Sequence, residues 1–219
     1  IEFKQQMITE PKVLLAKYDA KQIYMSMISN RGESFDETIN PAMSMYNEYF
    51  SGSMNAIVFQ EMREARGLAY SAGAYLITPS KLKYPYIFRT FIATQNDKMD
   101  DALKAFDSII NDMPLSEKAF NLAKDALITR LRTERIIKSD VLWTYIQATD
   151  LGMKHDNRKE LFEQAQTMTL ADLKAFQEKW IKGRNYIYCI LGDEKELDMK
   201  KLSTYGPIQR LSQEEIFGY

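Results

Sequence analysis

Arg63 and Tyr70 stand seven positions apart within Tyr49–Tyr75, which reads YFSGSMNAIVFQEMREARGLAYSAGAY. The segment has the form helix, glycine stop, strand. Arg63 falls near the C-terminal end of the helix and Tyr70 near the start of the strand. Such a junction can aim a guanidinium and a phenol into one cleft. The first is a permanently charged, planar fork of donors. The second is a neutral hydroxyl that can donate or accept a hydrogen bond. Both residues also have ordinary reasons to be there. An arginine in a last helical turn complements the helix dipole, and tyrosine suits a strand.

Other chemistries lack their parts. His155 is the only histidine, and Asp156, Asn157, Arg158 and Lys159 follow it. Neither H-E-x-x-H nor its inverse H-x-x-E-H is present. Catalytic zinc takes three protein ligands, and one histidine with one cysteine, Cys189, does not supply them. His155 reads as a solvated residue in a polar turn, and Cys189 as a small core residue in an apolar strand. A serine hydrolase needs a base beside its nucleophile, and no G-x-S-x-G occurs. Phosphate-binding glycine loops are missing as well. Carboxylate pairs such as Glu214-Glu215 are common surface features.

The 29 basic and 30 acidic residues nearly cancel, so no broad field draws nucleic acid or an anionic membrane. No apolar run reaches the ~20 residues of a membrane-spanning helix. The compartment is left open, a bacterial periplasm or cell envelope being favoured over the cytoplasm. A start at Ile1 rather than Met leads to the expectation of a processed form or a piece of a longer protein.

The elements that must position Arg63 and Tyr70 follow from periodicity. Strands are expected at Lys12–Tyr18 and at Gln22–Ile28, where Ile23, Met25 and Met27 alternate with Tyr24, Ser26 and Ile28. Asn40-Pro41 opens a helix that Ser51-Gly52-Ser53 interrupts. A second helix carries Met54, Ile57, Val58, Met62 and Ala65 to a stop at Gly67. Leu68–Ile77 and Tyr84–Thr94 then read as a hairpin around Thr78–Lys83. From Asp97 the spacing of Met99, Leu103, Phe106 and Ile110 predicts a helix stopped by Pro114. Ser116, Ser139 and Thr169 are expected to cap three more helices, with a shorter one at Asn157–Gln166. Tyr186–Leu191 is a continuous apolar strand, followed by a short helix near Glu194–Leu202 and an irregular tail. This order predicts a single α+β domain over 1–219: two layers, a mainly antiparallel sheet with helices packed on one face.

The segment from Gly52 through Arg63, Glu64, Gly67, Leu68 and Tyr70 resembles the pitrilysin family of zinc peptidases, which includes insulysin and the mitochondrial processing peptidase. In that family a Gly-rich break precedes a helix ending in R-E-x-x-G-L-x-Y. Thr167–Trp180 is similar to the family's last helix, Ile187–Asp193 to its final strand, and the tail GPIQRLSQEEIFGY to its domain ending. The resemblance therefore covers most of the chain.

The resemblance implies a metal-free domain facing a homologous zinc-bearing domain or subunit across an enclosed chamber that holds peptide substrate. No cofactor is expected in this chain, and zinc is expected on the partner. Arg63 and Tyr70 would reach the substrate near that zinc, to hold carbonyls and support the oxyanion. The chain alone would not be a peptidase. A structural relative or non-catalytic subunit without peptidase role is the alternative.

Overall fold

The computed structural model describes residues 5–218. Six strands form one sheet: β1 (Lys12–Lys17), β2 (Gln22–Ser29), β3 (Ala69–Ile77), β4 (Ile87–Gln95), β5 (Ile187–Gly192) and β6 (Ile208–Leu211). Their order is β3-β4-β2-β5-β1-β6. The β3·β4, β2·β4 and β2·β5 pairs are antiparallel, whereas β1 runs parallel to both β5 and β6. The architecture is the expected α+β one, a mainly antiparallel sheet with helices packed against it.

Alternation decides which face the helices cover. Val13, Leu15, Ile23, Met25, Met27, Phe88, Ile92 and Ile190 are buried beneath them. The opposite face carries Tyr24, Ser26, Phe91, Cys189 and Leu191, with Tyr24 stacked on Phe91 at 6.4 Å. β5 is therefore fully buried on one side only. Cys189 lies half-buried on the uncovered face, opposite Ser26, instead of in the core.

The helical layer begins with α1 (Asn40–Ser51), which has proline in its first turn and buries Met43, Met45, Tyr46, Tyr49 and Phe50. Tyr46 stacks on Phe50 at 5.1 Å and meets Phe176 at 5.6 Å. The Tyr49 hydroxyl donates to Pro114 O at 2.8 Å and accepts from Ser116 N at 3.0 Å, so α1 anchors the turn between two later helices. Those are α3 (Met99–Asn111), whose apolar stripe buries Leu103, Phe106, Ile109 and Ile110, and α4 (Glu117–Thr133). Ser116 caps α4 by accepting from Ala119 N, and Thr169 caps α7 (Leu170–Trp180) in a reciprocal box with Asp172. Gln177 of α7 donates to Ile110 O at 2.5 Å, tying the two helix ends together in the core.

Two local expectations are corrected. Ser139 does not cap α5 (Lys138–Asp150); Ile137 holds the cap position, and Asp140 accepts its N–H at 3.2 Å. A carboxylate three residues on outcompetes a serine that is already inside the helix. The tail is not irregular. After α8 (Met199–Leu202), β6 pairs with β1 in register Val13↔Ile208, and a short α9 (Gln213–Phe217) follows. Its last residue, Tyr219, lies outside the described residues. α6 (Arg158–Thr167) matches its expected span to within a residue.

Candidate functional site

The chain around Arg63 is wound in an unusual way. α2 starts as an ordinary helix at Ile57–Phe59, then widens into a π-helical turn over Gln60–Ala65. Such turns insert an extra residue into a helix and are frequent at functional sites. Met62 is fully buried and fixes the inner side of the turn. Gly67 ends it at φ +56°, a conformation open to glycine at little cost. Leu68 N then donates back to Met62 O at 2.8 Å. Two further bonds hold the junction: Thr94 Oγ1 to Leu68 O at 2.5 Å and Lys98 Nζ to Gly67 O at 3.0 Å.

The strand that follows is irregular at Tyr70. Ala69 lies opposite Thr94 and Ser71 opposite Ala93, so two steps on β3 match one on β4. Tyr70 is the extra residue of this β-bulge. Bulges re-aim a side chain without ending the sheet. Tyr70 is 82% exposed, although its neighbours Leu68 and Ala69 are buried.

Together the widened turn and the bulge bring the two residues into contact. The Arg63 guanidinium carbon lies 4.8 Å from the Tyr70 ring centroid and 4.9 Å from that of Phe59. The cation thus lies over both rings, each contact being worth roughly 0.5–1 kcal/mol at an exposed site. Glu64 Oε1 stands 3.5 Å from Arg63 Nε. The Arg63 side chain remains 40% exposed, so its N–H donors are open to acceptors. The Tyr70 hydroxyl makes no hydrogen bond to a described residue. Phe59 was not singled out from sequence, though its i,i+4 spacing to Arg63 places them on one helix face.

The remaining sequence candidates lie elsewhere. His155 is exposed, with Nδ1 3.1 Å from Asp156 O and Nε2 3.9 Å from Glu160. Burial pushes the Cys189 thiol above its ordinary range, away from thiolate chemistry. Among the described residues no three His, Cys, Asp or Glu side chains are grouped to hold a metal. The donors present do not fit a zinc centre.

The model of the family described as "Peptidase M16 inactive domain" matches residues 7–127. No curated protein matches. Several solved structures are similar in fold. A peptidase M16 inactive domain from Pseudomonas fluorescens aligns with TM-score 0.70 and 17% identity over 88% of this chain and 46% of that one. The periplasmic protease PqqL from Escherichia coli aligns with TM-score 0.64 and 14% identity over 85% and 21%. A chain of complex III2 from Candida albicans aligns with TM-score 0.61 and 16% identity over 90% and 49%. This chain therefore spans less than half the length of each. The family match takes in both Arg63 and Tyr70 and more than half of the residues, and so the chain belongs to the M16, or pitrilysin, peptidase family as one of its metal-free inactive domains.

Proposed function

We propose that this chain is a closing, substrate-binding domain that assists proteolysis at a zinc site carried by a homologous domain or subunit. The observation that carries the reading is the Arg63–Tyr70 pair, stacked at 4.8 Å with the phenol 82% exposed on a bulge. A hydroxyl held by its ring yet free of internal partners is available to a peptide carbonyl. In peptide hydrolysis that carbonyl oxygen gains negative charge, and a preplaced donor there stabilises the transition state. The exposed donors of the Arg63 guanidinium can hold neighbouring carbonyls in register.

The test is Tyr70→Phe in the peptidase assembled from this chain and its zinc-bearing companion. The ring and its stacking are kept and only the hydroxyl is lost. Turnover should fall ~10²–10³-fold, with the melting temperature unchanged. Unchanged turnover would remove Tyr70 from the reaction.

A purely structural role is the second reading, favoured by the fold shared with a chain of complex III2 from Candida albicans. It predicts that no assembly containing this chain cleaves peptide.

A further inference from the structure

α5 buries only Ala148 among its thirteen residues. On its inner side Thr144, Gln147 and Ala148 face a crevice shared with α1 and α6. The side turned away from that crevice is apolar over the middle of the helix. Val141 and Tyr145 form one i,i+4 row, Leu142 and Ile146 the next, and Trp143 lies beyond them, with Ile137 extending the surface at the N-terminal end. Trp143 is 61% and Tyr145 69% exposed. From Val141 to Ala148 there is no charged residue. The outward face of α7, by contrast, carries Asp172, Lys174, Glu178 and Lys179.

A contiguous exposed apolar patch of several hundred Å² marks an interaction surface. Thirteen residues are too few to span a bilayer, and α5 has one basic residue, Lys138, where an interfacial membrane helix would carry a cationic face. The exposed side chains offer on the order of 600 Å² of surface, against roughly 800 Å² per partner in a stable protein interface.

We infer that the outer face of α5 is the surface on which a companion domain docks, its own contact side apolar and uncharged. The inference rests on the reading above that such a companion exists. Two observations identify it. More than half of each similar solved chain lies outside the part this chain matches, enough for a second domain. The patch is also near the size that one stable interface needs.

The experiment mixes this chain with the zinc-bearing companion, produced as a separate polypeptide. Association is read by sedimentation and by tryptophan emission. Trp143 is the exposed reporter, because Trp180 already packs between Tyr86 and Phe176. A 1:1 complex with blue-shifted emission is expected. Leu142→Glu and Trp143→Glu should each weaken it at least tenfold while leaving circular dichroism and the melting temperature intact. Lys174→Glu on α7 should leave it unchanged. A complex that forms equally well with both α5 variants overturns the surface and leaves the companion standing. If no complex forms, both fall. Dimerisation of this chain alone through α5, or binding of α5 to anionic phosphatidylglycerol vesicles, overturns the assignment in favour of a different occupant.

Discussion

Glu33→Ala should destabilise the fold more than Arg184→Met, although Arg184 is the more buried partner. The Arg184 side chain is completely buried. It donates to Glu33 Oε2 at 2.7 Å and through Nε to Trp180 O at 2.8 Å, and its guanidinium carbon lies 6.0 Å from the Phe88 ring centroid. Its Nη1 has no hydrogen-bond partner among the described residues. Burial pulls the guanidinium below its ordinary pKa range, and the Glu33 carboxylate acts in the opposite direction. Removing Glu33 strands a buried cation, which costs ~3–5 kcal/mol. Arg31, 3.7 Å from Glu33, loses the same partner and is left as a like charge beside Arg184, so the cost should be at least the lower figure. Arg184→Met removes the charge itself. It leaves Glu33 partly exposed and still near Arg31, with an unpaired Trp180 carbonyl costing ~1–2 kcal/mol. In a chain of this size ~3 kcal/mol lowers the melting temperature by roughly 6–12 °C. Urea unfolding of both single variants and the double variant closes the cycle. The double variant should resemble Arg184→Met alone. A Glu33→Ala cost below that of Arg184→Met, or additive single costs, would refute the reasoning.

Other outcomes follow from the same structure. Gly67→Ala meets no atom within 4 Å, so its cost should be only the left-handed backbone penalty of ~1–2 kcal/mol, with Gly67→Asn milder in thermal unfolding. Asp100 is held below its ordinary carboxylate pKa, chiefly by its 2.7 Å bond from Lys104, with Tyr205 and Lys201 adding to the effect. A depressed folded-state pKa means that its stabilisation is complete above the unfolded value of about 4 and is lost as pH falls through the folded value. Asp100→Asn should therefore flatten the loss of urea stability below about pH 4. Ser116→Ala should cost ~1 kcal/mol through the lost cap on α4, measured by the same unfolding.

Much of the fold was legible because its signals are local. The alternation of Ile23, Met25 and Met27 marks β2, and the Met99–Ile110 stripe with Pro114 behind it marks α3. Ser116, the Thr169–Asp172 box and Gly67 depend on neighbours no more than a few residues away. Arg63 and Tyr70 could be named for the same reason: residue type, spacing and a resemblance. Ser139 misled because a local rule has competitors, and Asp140 reached the cap first.

What only the tertiary structure decided depends on pairings distant in sequence. β6 is four residues with little pattern, and becomes a strand because β1, nearly two hundred residues earlier, offers it an edge. Glu33 and Arg184 are 151 positions apart. The exposure of Cys189 and of the α5 residues follows from which faces the layers leave uncovered, and periodicity alone does not contain that information. The contact of Arg63 with Phe59 and Tyr70 combines both origins. The residues are close in sequence, but the π-helical turn and the bulge that align them depend on buried Met62 and on Thr94 and Lys98 gripping the junction from β4 and the turn after it. Side-chain type set what chemistry was possible at Arg63 and Tyr70; packing set their distance and direction.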